Sequence, residues 1–365
     1  MAASFISRTF LSYTSCGSIR TLKDAVAVGC TRRNFVTTGK YQQANSEDDK
    51  LNTVQNSQGA THQDPFPIFS KQEVQGLLER ITGFNALKVA GPQKKPLQRA
   101  VYKLLTDEQL DKELQEAHGR LKEKLQMPPF MNPYKDNTTP LSLDPDLADF
   151  DTAKYVFTDI SYGVKDRHRH VVVRELDGSL NIAPRSTRER MNQIYNPREG
   201  REFFKPRMFN EQNLERMISK KQYIYILDRA CCQFEPDDPD YVNVTRRVYS
   251  AVNDAKAFED LRSTRHFGCL AFYLVWNRMS DLLLLDMLNR DLISDAKDLV
   301  ILHCIIHPDS QCATSVGRLE KEEPVAVVKA YIETEAKLKA QLELSLQAME
   351  DAMRTKEKSE ERSSS

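Results

Sequence analysis

Strand-forming sequence is confined to one short island of this chain. Tyr155, Phe157 and Ile160 stand among β-formers, and residues 170 to 176 and 179 to 182 flank Asp177-Gly178. That dipeptide suits a two-residue type I′ turn, which needs positive φ at both central positions. Beyond Asn210 the apolar spacing is helical almost throughout. Such a chain can build only a small antiparallel sheet of about three strands, set between helical segments. The expected fold class is therefore mainly α: an N-terminal helical arm, a small antiparallel β-hairpin or sheet, and a C-terminal stack of helical hairpins with a long terminal helix.

Folding is expected to begin near Pro65. Ser70 and Glu73 have capping-box spacing ahead of Val74, Leu77, Leu78 and Ile81, and Gly83 follows as a stop. Thr106 and Gln109 cap a second helix bounded by Pro128 and Pro129, with Leu110, Leu114, Leu121 and Leu125 near one face. Prolines and aspartates between Met131 and Asp151 read as an irregular linker. Ser186 with Glu189 predicts a capped helix ending before Pro197, and Asp238 with Pro239 opens a helix that buries Tyr241, Val244, Val248 and Val252. Tyr223, Leu227, Ala230 and Phe234 form one face of the helix before it. The pair is about one tetratricopeptide unit long, but that repeat's consensus is absent, so an irregular stack of hairpins is the reading. After Pro324 a long charged helix carries Leu342, Leu346, Met349 and Met353 as its apolar stripe.

Charge is uneven along the chain although it sums to +0 over 365 residues. The N-terminal strip carries Arg8, Arg20, Lys23, Arg32, Arg33 and Lys40 against Asp24, is rich in Ser and Thr, and places Ile6, Phe10 and Tyr13 at helical spacing. This is the amphipathic pattern of a mitochondrial transit peptide, with Arg33 two residues before Phe35 as a processing signal. The expected organisation is a transit peptide over residues 1–35, a disordered polar extension over 36–64, a helical arm and linker over 65–150, and a small β-hairpin region with a helix over 151–209. A helical-hairpin domain over 210–318, a long helix over 319–358 and a polar tail over 359–365 complete it. The longest apolar run, residues 269 to 276, is far short of the roughly 20 residues needed to span a bilayer, so no membrane partner is expected.

The chemistry-bearing residues are sparse. Of the 7 cysteines, Cys16 and Cys30 fall in the expected leader, and the irregular spacing of the rest makes no disulfide framework. Adjacent Cys231 and Cys232 point about 100° apart on a helix and read as small buried hydrophobes. His303 and His307, four apart, could share a metal, yet no acidic base lies between them and His303 falls on the stripe of Ala296, Leu299 and Val300. No metal site and no cofactor are expected. Gly39-Lys40 lacks the context of a phosphate loop, and neither a nucleophile elbow nor a catalytic-cysteine signature occurs, so neither enzymatic activity nor a small-molecule substrate is expected. The Asn137-Thr138-Thr139 and Asn243-Val244-Thr245 sequons matter only in a secreted protein.

One segment concentrates positive charge: Lys165, Arg167, Arg169, Arg185, Arg188, Arg190, Arg198, Arg201, Lys205 and Arg207. A cluster of this kind can bind RNA phosphates through counterion release, or can meet an acidic protein. These residues are the candidate contacts to RNA or a partner. The acidic run Glu235, Asp237, Asp238 and Asp240 would repel RNA and is expected to face water or a basic protein, besides capping a helix.

"DTAKYVFTDISYG" at 151 to 163, "HVVVRE" at 170 to 175, "QFEPDDPDY" at 233 to 241 and "LRSTRHFG" at 261 to 268 together resemble the family of mitochondrial small-subunit (28S) ribosomal proteins numbered twenty-two in the S series. The resemblance runs over roughly residues 65 to 350. It implies a structural constituent of the mitochondrial ribosome in the matrix, with other small-subunit proteins and the small-subunit rRNA as partners and no catalysis. From the residues alone, a free helical-repeat adaptor in the mitochondrial matrix stands as the alternative.

Overall fold

The computed structural model describes residues 64 to 91, 99, 102 to 136, 138 to 148, 152 to 319 and 323 to 363, without the side chains of 167, 317 to 319 and 356 to 363. The expected leader and polar extension, Asp64 excepted, lie outside the described residues. A short helix α1 (Phe66–Phe69) precedes α2 (Gln72–Thr82), α3 (Ala86–Ala90) and α4 (Asp107–Lys124). Val74, Leu77, Leu78 and Ile81 are buried, and Gly83 ends α2 at φ 67°. The capping box expected at Ser70 does not form. The Ser70 hydroxyl instead donates to the Phe66 carbonyl at 2.8 Å, closing α1, and α2 starts after Lys71 with no side-chain cap. The Thr106 box does form, with Gln109 accepting the Thr106 N–H at 3.2 Å. Only the C-terminal half of the α4 stripe packs: Leu121 and Leu125 are half-buried, whereas Leu110 and Leu114 are 48% and 58% exposed. Among the described residues the main neighbour of α4 is the short α3 region, where the Phe84 ring meets His118 at 4.5 Å.

Four strands, not three, make the sheet: β1 (Pro140–Leu143), β2 (Tyr155–Thr158), β3 (Val171–Arg174) and β4 (Ser179–Ile182), in the antiparallel order β1-β4-β3-β2. β1 falls in the stretch read as an irregular linker. The β3–β4 turn is not type I′. Gly178 has φ 79° but Asp177 does not share the positive φ, and the Gly178 N–H donates to the Glu175 carbonyl at 3.2 Å while the Glu175 N–H reaches Ser179 at 2.9 Å. This is a three-residue connection ending in a glycine bulge, whose twist suits the strands equally well. A Cβ on Gly178 would lie 2.1 Å from the Asp144 carbonyl oxygen, so β1 itself requires the glycine.

The helix α5 (Arg185–Tyr195) follows, and its Met191 covers Val171, Val173 and Ala183 of the sheet region. Its expected Ser186–Glu189 cap is absent, because Glu189 is drawn to Arg185 and the Arg185 N–H is satisfied by the Asp136 carboxylate at 3.1 Å.

The rest is helical: α6 (Glu211–Ser219), α7 (Tyr223–Gln233), α8 (Pro239–Asp254), α9 (Phe258–Leu261), α10 (Phe267–Trp276), α11 (Asp281–Asn289), α12 (Ile293–Ile306), α13 (Gln311–Leu319), α14 (Pro324–Thr334) and α15 (Lys339–Ser363). The Asp238 carboxylate caps α8 by accepting the Asp240 N–H at 2.8 Å, as its sequence position predicts. Tyr223, Leu227, Ala230 and Phe234 on the preceding helix are all buried beside it. α10 is buried from Phe267 to Val275 on every side and forms the centre of the core, against α2, α8 and α12. No described helix is long and apolar enough to cross a membrane.

The terminal helix is shorter than expected at its start and folds back. A separate α14 precedes it, and the chain turns at residues 335 to 338 because the Asp281 carboxylate accepts the N–H groups of Lys337 at 2.7 Å and Leu338 at 3.1 Å. Leu342, Leu346 and Met349 of α15 are then buried against the core, with α11 as the helix's main neighbour. Its backbone stays helical to Ser363, past the expected onset of the tail.

Candidate interaction surface

The basic segment and the acidic run, some 30 to 50 residues apart in sequence, meet face to face. Arg185, at the first turn of α5, sets two guanidinium nitrogens on the two carboxylate oxygens of Asp237 and its Nε on Glu189 at 3.1 Å. Its plane lies over the Tyr134 ring, 4.2 Å from the centroid. Burial works against the Arg185 charge, but Asp237 and Glu189 outweigh it and raise its pKa above the usual guanidinium value. The same burial, with the Glu189 charge beside it, pushes the Tyr134 phenol up to about 12.

A second knot lies around Asp166 and Glu235. Arg198 Nε donates to Asp166 at 3.0 Å and its Nη1 to Glu235 at 2.5 Å, while Arg201 reaches the same Glu235 oxygen at 3.0 Å. Arg169 is 6% exposed and gives hydrogen bonds to the Asp159 and Ser161 carbonyls at 3.1 and 2.9 Å, beside Asp166 at 3.5 Å. It braces the connection between β2 and β3. Arg188 reaches the Asp166 carbonyl at 3.3 Å, and Lys205 pairs with Asp240 at 2.7 Å.

The acidic run therefore meets the chain's own arginines. Lys165, Arg190 and Arg207 differ from the rest: each is exposed and makes no ion pair among the described residues, with Arg190 lying 5.5 Å from the Phe203 ring centroid. Arg167 sits in the single turn Asp166–His168, its side chain outside the described residues.

Large apolar side chains share the exposed surface. Leu110 and Leu114 of α4 are open, as are Tyr155 and Phe157 on the edge strand β2 and Ile160 and Tyr162 just beyond it. Isolated exposed hydrophobes are ordinary, but a run along a sheet edge has the character of a protein-docking surface.

The residues 261 to 268 have an architectural part. Arg262 pairs with Asp295 on α12, and Arg265 and His266 both reach the Asp228 carboxylate on α7, each at 3.0 Å. His266 is 1% exposed, and burial lowers its pKa despite the attraction of Asp228. A Cβ on Gly268 would meet the Met127 sulfur at 2.1 Å, so this glycine admits residue 127 to the core. The Asp238 cap and the pairs Arg185–Glu189 and Asp166–Arg169 lie within a turn or so of the chain, whereas the partners at 235 to 240 and 228 lie too far along it to be read locally.

Cys232 is exposed, contrary to the buried role expected for it, because it points off the face that α7 gives to α8. The histidine pair at 303 and 307 also resolves differently from its spacing. The rings are 4.9 Å apart, but His307 donates from Nε2 to the Val275 carbonyl at 3.0 Å. His303 is instead grouped with Cys304 and Cys312, one ligand atom of each within 4.8 Å of the others. The two sulfurs are 3.6 Å apart, and the Cys304 thiol beside Cys312 helps bring the latter's pKa down to about 5 against its burial.

Comparison with known proteins matches residues 67–308 to the family described as mitochondrial 28S ribosomal protein S22. The small ribosomal subunit protein mS22 of Bos taurus is 40% identical over 286 residues, covering 78% of this chain and 79% of that protein. The protein of the same name from Mus musculus is 39% identical over 285 residues, with the same coverage of each.

Proposed function

The chain belongs to the mitochondrial 28S ribosomal protein S22 family, and we infer that its work in the ribosome is done by contact rather than by catalysis. It is a structural constituent of the mitochondrial small ribosomal subunit, and family membership over residues 67–308 carries that reading. The place of action is the mitochondrion, and within it the ribosome of the matrix.

Most of its contacts are with neighbouring small-subunit proteins. Two features support this. Arg185, Arg198 and Arg201 already hold carboxylates of the same chain, which leaves them little attraction for phosphate. The exposed apolar side chains of α4 and of the β2 edge supply the alternative surface. Contacts with rRNA are limited, and fall to the unpaired Lys165, Arg190 and Arg207, to Arg167, and to Lys205, whose pair with Asp240 is half in water and cheap to exchange for a phosphate.

Sedimentation tests the assignment. Chain that stays with the small subunit through a high-salt gradient is a built-in constituent, since high salt screens loosely held charge contacts. Release into the soluble fraction at high salt would instead make it a free adaptor.

A further inference from the structure

We propose that His303, Cys304 and Cys312 form a zinc site that ties α12 to α13. The α12 helix ends at Ile306, and a turn over residues 307 to 310 sends the chain back, with the Ser310 hydroxyl accepting the Ala313 N–H at 3.1 Å to start α13. That turn brings Cys312 onto the last turns of α12. A nitrogen of His303 and both sulfurs then lie within 4.8 Å of one another.

The donor set and its spacing fit zinc. Two thiolates and an imidazole are ligands this ion takes, with Zn–S about 2.3 Å and Zn–N about 2.0 Å in a tetrahedron. Two such Zn–S bonds place their sulfurs about 3.8 Å apart, and here the sulfurs stand at 3.6 Å. A disulfide would require closure to about 2.05 Å. The sulfurs are already spaced as the edge of a coordination tetrahedron.

Burial points the same way. His303 is 2% exposed and its ring lies edge-on to Tyr331 at 5.2 Å, which holds the imidazole in place beside the two sulfurs. Cys312 is fully buried and Cys304 is partly buried against the same core. On loading, both thiols give up their protons, and the two thiolates cancel the charge of Zn²⁺ beside a neutral imidazole. A neutral cluster is the form that an apolar surrounding tolerates. The three protein donors leave the fourth corner to water.

The spacing, two adjacent ligands and a third eight residues on, matches no common zinc pattern, and the histidine pair that the sequence offers first is not the one used. His307 is held away by the Val275 carbonyl.

Cobalt titration of the full-length chain, purified in a phosphine reductant without chelator, tests the site. Thiolate ligation to Co²⁺ gives a near-ultraviolet charge-transfer band. The expected result is a band saturating at one equivalent, abolished by equimolar Zn²⁺, absent in Cys312→Ser and at least tenfold weaker in affinity in Cys304→Ser. Circular dichroism keeps the variants comparable, and Cys304, partly buried at the margin of the core, is the milder of the two substitutions. No band from the folded wild-type chain would overturn the proposal, as would a band that survives in both variants. Thiol counting that finds Cys304 and Cys312 joined in freshly isolated protein, with no cobalt uptake after reduction, would also overturn it and make the pair a disulfide.

Discussion

Arg185 and Asp237 meet as a fork on a fork, and through them the first turn of α5 is fastened to the loop before α8. Each side chain keeps about a quarter of its surface in water, at 25% and 23%. The pair is thus neither a free surface bridge nor a sealed one, and the loss on breaking it lies between those limits. Arg185→Ala should lower stability by about 1–2 kcal/mol, and Asp237→Asn by a similar amount. A double-mutant cycle in denaturant should give a coupling of the same sign and on the order of 1 kcal/mol. Independent, additive losses would show that the two side chains do not act together.

Gly178→Val should strain the β3–β4 turn and push β1 off β4, because the added Cβ would collide with the Asp144 carbonyl. Positive φ alone costs a non-glycine residue about 1–2 kcal/mol, and the clash adds to it. Amide exchange should speed up across β1 and β4 while α10 stays protected. Unchanged exchange in β1 would mean that this strand does not depend on the turn.

Low pH should act through His266. Its pKa in the folded chain is below the ordinary 6.5 because burial penalises the imidazolium, so the unfolded chain binds the extra proton first. The stability that the neutral ring contributes is full above about pH 6.5 and is lost as pH falls from there toward the folded-state value. His307, also lowered by burial, contributes with the same sign. The midpoint of thermal unfolding should therefore fall between pH 7 and 5, and His266→Gln should flatten the slope. An equally steep slope in the variant would assign the effect elsewhere.

Charge reversal separates the two kinds of basic residue. Reversing Lys165, Arg190 and Arg207 should reduce the fraction of chain found in small-subunit gradient peaks by severalfold and leave circular dichroism unchanged. Reversing Arg198 and Arg201 should damage the fold first, since it would set new carboxylates against Glu235 and Asp166. Full incorporation of the first variant would remove those three residues from the contacts with RNA.

That contrast marks where the sequence stops being readable. The Asp238 cap, the Gly83 stop and the faces of α7 and α8 were legible because each depends on residues within a turn or two. The Ser70 and Ser186 boxes were local patterns too, but each lost its partner to a competitor: the Phe66 carbonyl for Ser70, Arg185 for Glu189. β1 was invisible for another reason. All its residues are exposed, so no alternation marks it, and its partner β4 lies about forty residues on. The basic segment showed its density of charge but not its destination, because beside Asp166 and Glu189 within the segment, the carboxylates that absorb it are supplied by residues 235 to 240.

Asp281 receives the two amides of the turn just before the last helix, the first from a residue 56 positions later in the chain, and accepts from the Tyr331 hydroxyl at 2.8 Å as well. The start of α15 is consequently an address held by α11, not one carried in its own first turn. The docking site of the final helix is built from α11 and α14, so its packing depends on both. A chain interrupted near residue 336 would leave the Asp281 carboxylate half-served, and would expose on α11 the apolar groove that Leu342, Leu346 and Met349 fill.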